Sequence, residues 1–436
     1  MSRADLPAVL GGQPVVPTDR KPIWPPTGAL ESAILTEITD SSRWYGFSHK
    51  PAKWRSILEQ VVADSTGHRY GVGQPNGTLA IASGLRAQVL IRGEGWADGR
   101  SEVLVADLTH ASAHYGVLVG LAPQLGRVPE IIPIDAKPDA TMNEAVVEEY
   151  LSQHNRRVLA IVPATMYGNF GAIERIVELS QRYDVACHHD DAHGGAARHD
   201  GVKAATASLS GQGEGKATPA GEAGITLASD PEIAWLVRAD TDTGLGAGRL
   251  DPIPYAERSS IPAGNQRLDE HSAGLMLIQW LRALHDRLQM RENRRQVQQL
   301  ITDQGLFPAP FLWNPPIDAE YPPFFALYMA CTEALEEELG LTPEDLRVVF
   351  WTEGIYAEPG FTPTHMDPAW KHVAIGRGLS YEGSRRVVER AVFIHAMWLR
   401  HPDFPTWLSE ILHRVVEHKD GLRGIGEAFT RPRHAD

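Results

Sequence analysis

VLAIVPATMYGNFGAIERIVELSQRYDVACHHDD, residues 158–191, places two short apolar runs on either side of a segment with helical spacing. VLAIVP is continuously apolar, as a strand covered on both faces must be. In AIERIVELSQRY (172–183), Ile173, Ile176, Val177 and Tyr183 recur on one side of a helix and leave Glu174, Glu178 and Arg182 to solvent. The stretch therefore reads as strand, helix, strand. The pattern extends outward through EVLVAD (102–107), EIIPID (130–135) and AGITLAS (223–229), with helix-like segments between the runs. Repeated βαβ units predict an α/β fold around a mostly parallel sheet.

The flanking regions differ. Residues 1–30 are punctuated by Pro and Gly (GGQPVVPTDRKPIWPP) and read as an arm lying over a neighbouring surface. A helix is expected over Pro51 to Ser65, and a long one from Arg267 to about Thr302 leaves the large domain. Past Gly305, short strands such as FFALYMA (324–330) and helices such as TPEDLRVVFWTEG (342–354) predict a smaller α+β domain. The expected division is 1–30 arm, 31–265 large domain, and 266–436 connecting helix with small domain.

Composition narrows the function. The 436 residues carry a net charge of −14, which gives no long-range attraction to phosphate backbones, and no helix-turn-helix extension is evident. Nucleic acid is not an expected partner. Cys187 and Cys331 are the only cysteines, far apart and outside any CxxC pattern, so neither a disulfide framework nor a structural zinc is indicated. No apolar run approaches the roughly 20 residues of a membrane helix, and the N-terminus lacks a signal-peptide pattern. A soluble, cytoplasmic protein is expected.

In an α/β sheet, ligands bind beyond the carboxyl ends of the strands. After YGVGQ, PNGT opens a helix: Gly77 permits close backbone approach, Thr78 offers a hydroxyl, and first-turn N–H groups favour an anion. The same residues would also serve as a plain cap. Thr109 and His110 follow EVLVAD, and DDAHGG gathers Asp190, Asp191 and His193 at another strand end. Strand geometry sends His188 and Asp190 to one face and His189 and Asp191 to the other, which argues against a metal site. Whichever aspartate points inward needs a cationic partner. Lys216 stands alone among small residues in SLSGQGEGKATPAGEAG (208–224). A phosphate cradle at Gly77 and Thr78, a carboxylate at Asp190, a flat side chain at His110 and a lysine are the groups that pyridoxal phosphate (PLP) requires.

These motifs resemble the DegT-type (DegT/DnrJ/EryC/StrS) sugar and cyclitol aminotransferases from about residue 9 to residue 400. GGQPVV with IWPP is similar to the opening of the aminocyclitol and 3-amino-5-hydroxybenzoate (AHBA) branch. PNGT, GRSEVLVADLTHAS, VPATMYGN, Asp190 to Gly201 as D-x-A-(H/Q)-x-x-G-A-x-x-x-G, GKATPAGEAG, NQRLDEHSA and PTHMDPAW each resemble a family segment. The resemblance implies the fold-type-I architecture of PLP enzymes: a large domain with a mostly parallel seven-stranded sheet, and a smaller α+β C-terminal domain. It also implies a homodimer with shared active sites. Lys216 would be the Schiff-base lysine and proton shuttle, and Asp190 the partner of the pyridinium nitrogen. His193 would contact the phenolic oxygen and His110 would stack on the ring. Gly77, Thr78 and Ser210 would hold the phosphate, joined by Asn265 from the neighbouring subunit. His365 and Trp370 are substrate candidates.

Several positions depart from the family pattern. Strict spacing puts Gly211, rather than Ser210, where a serine is usual, Glu214 brings a carboxylate near the lysine, and GEGG has become GEAG with Ala223. The expected reaction is amino transfer from L-glutamate or L-glutamine to a keto-sugar or keto-cyclitol in secondary metabolism, such as antibiotic biosynthesis. The alternatives are an AHBA-synthase-like dehydration or another elimination on the same cofactor, a non-catalytic PLP-binding regulatory or partner subunit, and, last, a metal hydrolase built on His188 to His193.

Overall fold

The structure, a computed structural model, describes residues 6–46, 52–93, 95–195, 201, 203–213, 216–244, 261–302, 311–314, 325–372 and 376–429. Two helices, α1 (Ala29–Ser41) and α2 (Lys53–Thr66), precede the first strand. The large domain then alternates β1 (Tyr70–Gln74), α3 (Gly77–Ile91), β2 (Glu102–Ala106), α4 (Ala111–Leu125), β3 (Glu130–Ile134), α5 (Glu144–His154), β4 (Val158–Val162), α6 (Ile173–Arg182), β5 (Ala186–Asp190), β6 (Thr206–Ser210), β7 (Gly224–Ala228) and α7 (Pro231–Thr241). Its seven strands lie in the order β1-β7-β6-β5-β4-β2-β3, all in one direction except β7, which runs antiparallel to both neighbours.

Alternation along the strands explains the layers. Val103, Val105, Ile131 and Val162 pack against Ile81 and Leu85 of α3 and Val117 and Leu121 of α4. Leu104, Ile132 and Ile161, one residue out of phase, pack against Val147 and Leu151 of α5 and Ile176 and Leu179 of α6. Helices therefore cover both faces, as the unbroken apolar runs require. The strand β6 was not foreseen, because TASLS looks polar. Its Thr206 is nevertheless buried, with Oγ1 2.7 Å from His188 Nδ1 and accepting from Gln88 Nε2 at 2.7 Å.

The helix α8 (Glu270–Thr302) leads out of the large domain. Near its start Trp280 Nε1 donates to Ser65 Oγ of α2 at 2.9 Å, and further on Asn293 Nδ2 donates to the carbonyl of Leu399 at 2.9 Å. The small domain holds β8 (Leu312–Trp313), β9 (Ala326–Cys331), α9 (Glu333–Leu339), α10 (Pro343–Thr352), β10 (Ala357–Glu358), α11 (Glu382–Arg390), β11 (Ala391–His395) and α12 (Phe404–Glu417). Its strands form an antiparallel sheet in the order β10-β11-β9-β8. The N-terminal arm is stitched onto this domain of its own chain. Ala8 N–H and Val15 N–H donate to the Glu353 carboxylate at 2.9 and 2.8 Å, and Arg414, paired with Glu353 at 3.1 Å, donates to Gln13 O at 2.8 Å. Among the described residues no helix is long and apolar enough to cross a membrane.

Candidate active site

A cavity of about 890 Å³ opens between the carboxyl ends of the large sheet and the cavity-facing side of the small one. Every strand exit singled out from the sequence meets there: Gly77 and Thr78 after β1, Thr109 and His110 after β2, Ala164 and Thr165 after β4, Asp190 and His193 from β5, and Ser210 from β6, with Lys216 beyond. These exits converge because their strands point the same way.

Asn76 caps α3 by accepting from Leu79 N–H at 3.0 Å. The amides of Gly77 and Thr78 stand in the first turn, where a helix offers no intrahelical acceptor. A Cβ on Gly77 would lie 3.0 Å from Ser210 Cβ and 3.2 Å from its Oγ, so only glycine leaves this cleft open. From below, Gly224 supports the same peptide: a Cβ there would sit 2.3 Å from Asn76 O. The shifted serine is also resolved. Ser210 lines the cavity, whereas Gly211 is wedged between Ala223 and Met276.

Lys216 Nζ lies 4.7 Å from the centre of the Phe325 ring. Burial pushes its ammonium down to about 8, against the opposing pull of Asp190. Asp190 is itself buried, and that burial raises its carboxyl above the usual range, partly offset by Lys216 and by the Ala192 N–H, which donates to it at 3.2 Å. Each is thus the other's compensating charge, the inward cationic partner that a buried aspartate needs. His193 stacks on Phe325 with centroids 3.6 Å apart and planes 2° apart. Its Nδ1 accepts from the Tyr167 N–H at 3.3 Å, and burial holds the imidazole neutral, so the proton sits on Nε2. Tyr167 reaches this position with φ of 53°, a left-handed conformation uncommon for so bulky a residue. His110 is the N-cap of α4: its Nδ1 accepts from Ser112 N–H at 3.2 Å, and its ring meets Phe361 edge-on at 5.8 Å.

Three predicted residues stand elsewhere. Asn265 is exposed on a bridge to Asp242, outside the cavity lining. His365 is taken up by Asp107, which accepts from its N–H at 2.9 Å and from Nδ1 at 2.7 Å, and it stacks on Tyr381 at 4.5 Å. Trp370 tilts over His114 at 4.9 Å. Neither His365 nor Trp370 lines the cavity, because the Asp107 carboxylate ties their loop to the exit of β2. Glu214 and residues 196–200 of the Asp190 to Gly201 match lie outside the described residues. Sequence reading missed the aromatic wall of Trp24, Phe325, Tyr356, Phe361 and Phe393, together with Glu358. Only strand pairing in the small domain brings Glu358 and Phe393 together, and single-sequence periodicity carries no pairing information.

These residues fit PLP. The narrow glycine cleft at a helix start suits a phosphate, the buried Asp190 suits a ring N–H⁺, and Lys216 presents an amine that deprotonates near neutrality. Because only the neutral amine attacks an aldehyde, capture of PLP by the apo-protein should quicken as pH rises and level off above about 8. An ordinary lysine would keep rising to about 10.4. Stopped-flow absorbance across that range measures it, and a rate still climbing at pH 10 would contradict the lowered amine.

Comparison with known proteins adds independent findings. Residues 32–402 match the DegT/DnrJ/EryC1/StrS aminotransferase family. The L-glutamine:2-deoxy-scyllo-inosose aminotransferase of Streptomyces paromomycinus is 26% identical over 315 residues, 69% of this chain and 69% of the relative. The GDP-perosamine synthase of Caulobacter vibrioides is 26% identical over 339 residues, 73% of this chain and 78% of the relative. The crystal structure of AHBA synthase superposes with a TM-score of 0.72 at 19% identity, covering 91% of this chain and 98% of that one.

Proposed function

The chain belongs to the DegT/DnrJ/EryC1/StrS aminotransferase family, whose members are PLP-dependent, and from that premise we propose that it moves an amino group from L-glutamine or L-glutamate to a keto-cyclitol or keto-sugar in secondary metabolism. One observation carries the reading: the buried Lys216 amine faces the buried Asp190 carboxylate in a cavity that also holds a glycine-lined helix start. The aminocyclitol relative supports the cyclitol, and its amino donor supports glutamine. The exposed Asn265 supports a homodimer in which that residue completes the neighbouring site, and a cytoplasmic location accords with two reduced, buried cysteines.

When bound, PLP supplies an aldehyde that receives the amino group and a ring that takes up the electron pair released as the donor's C–H bond breaks. Lys216 Nζ holds that aldehyde until the donor amine displaces it. The freed amine is then a base of matched strength, and it carries the proton from the donor carbon to the cofactor carbon. Asp190 keeps the ring nitrogen protonated, which lets the ring accept electrons. His193 Nε2–H donates to the phenolic oxygen, with its ring fixed by Phe325 and the Tyr167 N–H. The amides of Gly77 and Thr78 and the Ser210 hydroxyl hold the phosphate. His110 covers the ring at the open side of the cavity.

Incubation of holoenzyme with glutamine and 2-deoxy-scyllo-inosose should yield the cyclitol amine and the matching 2-oxo acid in equal amounts, read by mass spectrometry. Release of water from the acceptor without amine formation would overturn the transfer in favour of a dehydration.

A further inference from the structure

We propose that the acceptor half of this cavity selects a keto-cyclitol or keto-sugar that already bears a protonated amine, and that Glu358 is the residue that recognises it. This rests on the aminotransferase reading and names the substrate class for the same site.

The small sheet sets the geometry. Its register places Glu358 directly across from Phe393 and Ala357 across from Ile394. Side chains two residues apart share a face, so Tyr356 and Glu358 of the β10 edge stand beside Phe393 and His395 of β11. All four line the cavity, and Phe361 and Trp24 extend the aromatic wall around them. Glu358 is only partly exposed and, among the described residues, is paired with no cation. A carboxylate framed by aromatic rings suits an ammonium group, which gains from the opposite charge and from the ring faces together.

Charge bookkeeping across the lining points the same way. The described lining residues include three carboxylates, Asp190, Glu222 and Glu358, and one ammonium, Lys216. The cofactor engages Lys216 and Asp190, so Glu222 and Glu358 remain for the acceptor. A nucleotide diphosphate would bring further negative charge against that wall, whereas an aminated ring brings its complement.

The reverse half-reaction of the holoenzyme tests this. The probes are 2-deoxystreptamine, a 1,3-diamine, its monoamine counterpart 2-deoxy-scyllo-inosamine, and GDP-perosamine as a nucleotide-linked amine. In each case the substrate's C–N bond breaks, its carbon leaves as a ketone and the cofactor's aldehyde carbon takes the nitrogen, so no outside oxidant is required. The readout is loss of the yellow absorbance against amine concentration. The diamine should half-saturate at a concentration lower than the monoamine by about tenfold or more. Glu358→Gln should bring that ratio close to one. The proposal is overturned if the diamine shows no advantage, if Glu358→Gln preserves the advantage, if GDP-perosamine reacts better than the diamine, or if neither cyclitol reacts. Bleaching by glutamine or glutamate in the same protein separates the cases: if those donors also fail, the aminotransferase reading falls first; if they succeed, only the acceptor assignment is lost.

Discussion

Lys216→Ala should slow the amino-donor half-reaction by about a thousandfold or more, because the change removes both the amine that anchors the cofactor and the base that moves the proton. Protein saturated with PLP should also lose the yellow absorbance that borohydride bleaches in the wild type. The fold should persist, since a lysine held down to about 8 by burial favours its neutral form, and deleting it removes no required ion. The neighbours that shape the cavity, Phe325 and His193, hold each other by a stack of 3.6 Å that does not involve the lysine. Circular dichroism and PLP binding by dialysis keep loss of function apart from loss of structure. A Lys216→Ala protein that kept its colour and its half-reaction would remove the lysine from the account.

Asp190→Asn should be the second most damaging change, lowering the half-reaction rate by about a hundredfold or more while covalent capture of PLP continues. The substitution is nearly isosteric and exchanges a buried carboxylate for a neutral amide, so packing is preserved. What disappears is the charge that keeps the ring nitrogen protonated. A second readout tells this role from a structural one. Asp190 raises the Lys216 amine against burial, so without its charge the pH at which capture levels off should move below about 8. Equal rates for Asp190→Asn and wild type, with no movement of the capture profile, would show that the pair is not coupled.

Much of the large domain could be read from its residues because each βαβ unit carries its own signal. The runs at 102–107, 130–135 and 158–164 are buried on both faces, and the helix at 173–182 shows its apolar side within a single turn or two. Asp190, His193, Gly77, Thr78 and Lys216 were legible for a related reason: they follow strand ends, and parallel strands bring their ends together. The strand β6 escaped because Thr206 and Ser208 satisfy a buried position with small polar side chains rather than apolar ones. The displacement of His365 was hidden as well. Its ring belongs to the small domain and its partner Asp107 to the large one, so only docking of the two decides whether the histidine faces substrate or carboxylate. The arm was foreseen as a segment lying on a surface, but nothing local announces that Glu353 and Arg414 supply that surface. The same limit applies to Glu358, whose place in the cavity depends on its pairing with Phe393 across β10 and β11.

The central claim is that Lys216 and Asp190 run amino transfer on a cofactor held by Gly77, Thr78 and Ser210. A single-turnover experiment on PLP-saturated wild-type protein, mixed with L-glutamine or L-glutamate and no acceptor, tests it most directly. The yellow absorbance should decay with one of these donors as one equivalent of the matching 2-oxo acid appears. Persistence of the colour with both donors, and no oxo acid, would contradict it.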